Sequence, residues 1–295
     1  MTPTTPTRRG QAPRLASLGP ASPLGLLLVG AWLLLAWTNG GYPAGRWGPI
    51  GIGALLALAI ALVLAPVARL RGARAVALAG MEGFLLVSYL SLLWATSPGD
   101  ALIGADRQAI AIVSFAVFLL WPWSQAGART IVTAFSLAVV ASASAELARL
   151  ATSAQPARFF DEGRLVGPIG YANGTVAWWM LAFWPAVHLG ATRATWKSMR
   201  PFFLGGATLL LCLSVLGQSR AWALLLLPAT ALFVAFARQR MRWLLGLALA
   251  GAPVLIALPS LLDVYDAAGA PRLLADRVER ATALSGAAAA TSWLA

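Results

Sequence analysis

Long apolar runs recur from one end of this sequence to the other, near 22–38, 48–68, 75–95, 108–122, 130–148, 172–190, 201–217, 220–237 and 243–261. Each is continuous and rich in leucine and alanine. As a helix, about 20 such residues match the ~30 Å hydrocarbon core of a bilayer. A membrane β-barrel is instead written in alternating segments of about ten residues. Charge agrees: only 11% of the residues are charged and 59% are hydrophobic, where a soluble domain carries roughly 25% charged residues. The expected fold is an all-α polytopic integral membrane protein with about nine transmembrane helices. The run at 108–122 is short for a full crossing, and either reaches back to Ala105 or tilts little. The run at 130–148 holds Ser136, Ser142, Ser144 and Glu146, so its far end reads as interfacial.

Three regions follow. Residues 1–21 are polar, basic and proline-rich, the composition of a disordered cytoplasmic tail. The basic start and the run after Pro23 imitate a signal peptide, but the many later runs make the first an uncleaved helix. Residues 22–262 form the transmembrane domain. Residues 263–295 carry mixed charge and read as mainly helical, an extracytoplasmic partial loop or the start of a further short span.

Basic residues orient the chain. With the N-terminus in the cytoplasm, the inner stretches hold Arg8, Arg9, Arg14, Arg69, Arg71, Arg74, Arg129, Arg193, Lys197, Arg200, Arg238, Arg240 and Arg242 and no acidic residue. The outer stretches hold all the acids except Glu82, which lies in the third run as a packing, interfacial or functional group. Nine runs then leave the C-terminus outside. The net charge of +12 is topogenic on this reading, and no nucleic-acid partner is expected. One cysteine, Cys212, and one histidine, His188, do not make an ordinary metal-ligand set, so no metal site is expected. Cys212 reads as a small core residue. Trp178, Trp179 and Trp184 lie deep in the sixth run, as packing groups or as a wall for a lipid.

The stretch "GRLVGPIGYANGT", Gly163–Thr175, concentrates glycine, proline and one arginine ahead of the sixth run. Arg220, in "LGQSRAW", occupies the short turn between the seventh and eighth runs. Both arginines fall on the outer face, each before a descending helix. Guanidinium is a permanently charged fork that matches phosphate oxygens, and helix N-termini favour anions. Gly163, Gly167 and Gly170 allow close backbone approach, and Pro168 stiffens the turn. Asn173 is placed to cap a helix or donate to a ligand, and Gln218 and Ser219 add polar contacts. Such a site suits the headgroup of a diphosphate-linked lipid. The alternatives are arginines that snorkel to the interface and glycines that only turn the chain.

"RFFDEGRLVGPIGYANGTVAWWMLAFWPAVHL" resembles the Arg-x-x-Gly…Asn signature of the O-antigen ligase and polymerase-like membrane family. "LSVLGQSRAWALLLLPATALF" resembles its Ser-Arg element at the start of a helix, and "YLSLLWATSPGDALIGADRQ" resembles its earlier Trp…Pro turn. The phrases come in family order and span roughly residues 80 to 262. The resemblance implies a GT-C-like bundle in the bacterial cytoplasmic membrane, and a glycosyltransferase-type enzyme needing no metal or other cofactor. Such an enzyme moves a glycan from undecaprenyl diphosphate to an acceptor hydroxyl on a glycan, lipid or protein. It implies that Arg164 and Arg220 hold the diphosphate, with Asn173 beside the first and Gly167, Gln218 and Ser219 in support.

The family also has ten to fourteen spans and an outer-loop histidine that acts on the acceptor or leaving group. His188 falls near the inner end of the sixth run, so that role does not transfer to it, and no catalytic residue is assigned. The chain is expected to stop within the family's outer loop, its missing helices absent or supplied by a separate chain. The other readings are a non-catalytic lipid-diphosphate binder or assembly protein, and a membrane transporter.

Overall fold

A computed structural model of the chain describes residues 22–64, 70–121, 123–236, 239–267 and 271–294. The tail expected at 1–21, with Arg8, Arg9 and Arg14, lies outside the described residues, as do Arg69 and Arg238. The helices are α1 (Ser22–Trp37), α2 (Ala44–Leu64), α3 (Ala73–Leu90), α4 (Pro98–Leu120), α5 (Gln125–Thr152), α6 (Ala172–Ala191), α7 (Arg200–Leu216), α8 (Arg220–Phe236), α9 (Arg240–Asp266) and α10 (Pro271–Leu294). Between α5 and α6 lies one small hairpin, β1 (Phe160–Asp161) and β2 (Arg164–Leu165). Among the described residues, six helical stretches are long and apolar enough to cross a membrane: Ala44–Val63, Arg74–Leu93, Pro98–Leu120, Gln125–Thr152, Lys197–Leu216 and Arg240–Asp266. The architecture is that of an all-α, multi-pass membrane protein.

Helices α4, α5 and α9 outgrow the apolar runs that announce them. α4 starts at Pro98, where a missing N–H costs nothing, and Ser97 Oγ donates to Asp100 Oδ2 at 2.7 Å across that first turn. In α5 the serine hydroxyls bond back to the preceding turn, Ser136 to the Val132 carbonyl at 2.8 Å and Ser144 to the Val140 carbonyl at 2.9 Å. These two hydroxyls are thereby satisfied within the helix, and α5 continues to Thr152.

The chain divides into two compact units. The first comprises Met1–Ala31 and Pro43–Ile131. Its core joins Leu28, Ala54, Ala57 and Val117, and the Tyr89 hydroxyl donates to Asp106 Oδ1 at 2.8 Å between α3 and α4. Glu82 lies on an exposed face of α3.

The second unit comprises Trp32–Tyr42 and Val132–Ala295. α6 and α7 form its centre and are buried on nearly all sides. Trp178, Trp179 and Trp184 belong to that core, with Trp178 edge-on to Phe135 and Trp184 stacked on Phe233. Cys212 is buried there too. Gly205 and Gly206 let neighbours close on α7: a Cβ at Gly205 would meet the Trp293 ring and one at Gly206 would meet Val140. Close approach over small residues is how helices associate when lipid offers no hydrophobic drive. Large apolar side chains on α8 and α9, among them Leu224, Leu227, Leu255 and Ile256, face outward. That suits a lipid-facing surface.

The segment 263–295, read as mainly helical and as a partial loop or the start of a further span, is the end of α9 and the helix α10. α9 runs on to Asp266, and α10 then packs on α7, α9 and the Pro156–Phe159 turn. Its small polar residues dock it: the Thr208 and Ser292 hydroxyls are hydrogen-bonded at 2.7 Å, one donating to the other, and the Ala250 and Leu249 carbonyls lie 3.0 Å from them as further acceptors. The segment is helical, as its sequence suggests. Its Ala, Ser and Thr face supplies close packing, and Trp293 ends beside Gly205 near the start of α7.

Candidate functional site

The site region lies within the second unit. In the hairpin, Glu162 and Gly163 occupy the two central turn positions with φ of 49° and 76°. Two positive φ values in a two-residue loop are the geometry of a type I′ turn, which glycine adopts without strain. Asp161 pairs with Arg164 and Phe160 with Leu165. Leu165 is wholly buried and pins the hairpin to the core. The Arg164 guanidinium remains about a third exposed and donates from Nη2 to Glu162 Oε2 at 2.9 Å. That glutamate is mostly in solvent, so the pair contributes little stability.

The chain from Arg164 to α6 is tied down by one carbonyl. Val166 O accepts from the Thr175 hydroxyl at 2.6 Å and from the Gly170 amide at 2.8 Å. α6 begins after Tyr171 with no side-chain cap. Asn173, read as a cap or a ligand donor, sits exposed in the first turn and does not cap it.

The α7–α8 turn reaches the same end of the bundle. A Cβ at Gly217 would run into Val176 of α6 and come within 3.7 Å of the Ala172 carbonyl, and β2 packs against both α6 and α7. Gln218 closes α7 with φ of 49°. The Ser219 hydroxyl accepts from the Trp222 amide at 3.4 Å, which caps α8. Arg220 opens α8 and is exposed. Arg164, Asn173, Gln218, Ser219 and Arg220 therefore gather where α6 and α8 begin and α7 ends. Two donors in this group, Arg164 Nε and Gln218 Nε2, are buried without a hydrogen-bond partner among the described residues. Buried donors without partners are rare in folded proteins and call for an explanation.

His188 lies elsewhere. It stands sixteen residues along α6 from Ala172, about 24 Å at the helical rise, with its ring 5.4 Å from Trp243.

One cluster escapes the sequence reading. Glu146, near the end of α5, is completely buried, and its Oε2 accepts from Arg149 Nη1 at 2.9 Å. Its Oε1 has no hydrogen-bond partner among the described residues and lies against Gly167, where a Cβ would collide with it. The Arg149 guanidinium stands 5.9 Å from the Trp37 ring and 5.0 Å from the Phe159 ring; Arg158 stands 4.8 Å from the same Phe159 ring. The i, i+3 spacing of Glu146 and Arg149 was the available signal. It was obscured because Glu146 sits at the end of a run that reads as interfacial.

No protein-family model matches the chain, and no curated protein or solved structure matches it.

Proposed function

We propose that the protein binds a lipid-linked glycan through its diphosphate and transfers the glycan to an acceptor hydroxyl on the extracytoplasmic side, as in the O-antigen ligase and polymerase-like family that the sequence resembles. The observation that carries this reading is the gathering of Arg164, Arg220 and two partnerless buried donors at one end of α6, α7 and α8. Guanidinium forks and donor nitrogens suit phosphate oxygens, and the amides of an uncapped α6 start add to the attraction. On this reading α1 to α9 are nine spans of a GT-C-like bundle with the N-terminus in the cytoplasm. α10 then carries the chain back beside α7 toward the cytoplasmic end, where the sequence reading had the C-terminus outside.

The chemistry is a direct displacement. The acceptor oxygen forms a bond to the anomeric carbon, the bond from that carbon to the diphosphate oxygen breaks, and the hydroxyl proton passes to the departing diphosphate. Arg164 and Arg220 stabilise the charge that develops on the departing diphosphate, and most of the acceleration comes from that and from positioning. Arg220→Ala removes an exposed side chain that no described group holds, so it leaves the fold intact. It is expected to weaken undecaprenyl diphosphate binding by the purified protein about tenfold, the worth of one charge-assisted contact. Unchanged affinity would remove the clamp.

A second reading is a binder or assembly protein without transferase activity. It is favoured by the position of His188, far from the arginines along α6. A transfer assay with purified protein, lipid-linked glycan and acceptor separates the two: product formation supports the enzyme, and tight binding without product supports the binder.

A further inference from the structure

Two guanidinium groups converge on one phenyl ring. Arg149 Cζ stands 5.0 Å and Arg158 Cζ 4.8 Å from the centre of Phe159. The two cations are therefore no farther apart than those radii laid end to end. An anion that reached both guanidinium groups would be attracted by each.

The Arg149 charge is balanced by Glu146, but its fork is not used up, and Arg158 is unbalanced among the described residues. Arg149 gives one nitrogen to Glu146, whose carboxylate is wholly buried, and keeps the rest of a half-exposed fork. Arg158 is exposed, and no acidic group pairs with it among the described residues. Arg149 is also rigid, held between Trp37 and Phe159 and anchored by Glu146. A rigid fork loses less entropy on binding than a free one.

Position identifies the ligand. Arg149 lies in the last turn of α5, an apolar helix of membrane-crossing length, and Trp37 ends the apolar helix α1. Tryptophan and arginine at the ends of such helices lie at headgroup level. We infer that Arg149 and Arg158, each within 5.0 Å of the Phe159 ring centre, form an oxyanion site for the phosphate or diphosphate headgroup of a membrane lipid. The site adjoins the hairpin that carries Arg164, since the Val166 amide donates to the Phe159 carbonyl at 3.0 Å, but it is built from side chains other than Arg164 and Arg220.

The test uses the full chain carrying Arg164→Ala and Arg220→Ala, purified in detergent, so that the other proposed site is silent. Farnesyl diphosphate and inorganic pyrophosphate are titrated by microscale thermophoresis. In this background farnesyl diphosphate is expected to bind, and adding Arg158→Ala is expected to weaken it about tenfold or more. Arg149→Lys keeps the charge and the ion pair with Glu146 but loses the fork, and is expected to weaken binding several-fold without harming the fold. No binding in the background chain would overturn the inference, as would unchanged affinity in both variants. Pyrophosphate binding as tightly as farnesyl diphosphate would overturn the assignment to a lipid. Failure of the Arg164 and Arg220 clamp is read separately, from Arg220→Ala in the otherwise unchanged chain.

Discussion

Gly167→Ala is expected to lower the stability of the purified protein by about 1–3 kcal/mol, the usual cost of forcing extra volume into a packed site, and Gly167→Val to prevent recovery of folded protein. The cause is contact. A Cβ at this position collides with Glu146 Oε1 and stands 3.0 Å from the Glu146 carboxyl carbon. A glutamate on the surface would swing aside. This one is fully buried, and its other oxygen is held by Arg149 at 2.9 Å. The loop must move instead, and Val166, one residue earlier, is bonded to both Thr175 and Gly170. The explanation carries its own control: Gly167→Ala combined with Glu146→Ala should cost less than the two changes summed, because the wall is gone. Glu146→Gln, which keeps the shape, should give no such relief. Size-exclusion thermostability in detergent reads all of these variants.

Arg149→Ala is expected to be the more damaging change, at about 3 kcal/mol. Removing one partner of a buried ion pair strands the other, which costs about 3–5 kcal/mol when both are buried. The low end applies because the Arg149 side chain is half exposed while Glu146 has no exposure at all. The change also removes the cation from Trp37 and Phe159. Adding Glu146→Gln should restore part of the loss, since a neutral amide in that place no longer demands a counter-charge. If the double variant is less stable than Arg149→Ala alone, the stranded charge is not the cause.

These two residues mark where sequence reading stops. All nine apolar runs correspond to helices, because hydrophobic length depends only on neighbours along the chain. The misjudged boundaries lie where polar residues are satisfied by local geometry: the Asp100 turn of α4 and the serine back-bonds of α5. α10 was legible as a helix but not as part of the core, because its packing face is alanine, serine and threonine rather than leucine. In the candidate site, the turn at Glu162–Gly163 and the arginines at the hairpin and at the start of α8 could be read from spacing. The contact of Glu146 with Gly167 could not, because it joins residues on separate elements through a backbone that must come close. The convergence of Arg149 and Arg158 on Phe159 stayed hidden for the same reason.

The central claim is that Arg164 and Arg220 share one end of the bundle and that this end faces outward. In a chain with Cys212→Ala, which removes the sole cysteine, Arg164→Cys and Arg220→Cys are introduced separately and treated with a membrane-impermeant maleimide in intact spheroplasts. Labelling of both without permeabilisation is the expected result. Labelling of only one, or of both only after the membrane is opened, would contradict the account.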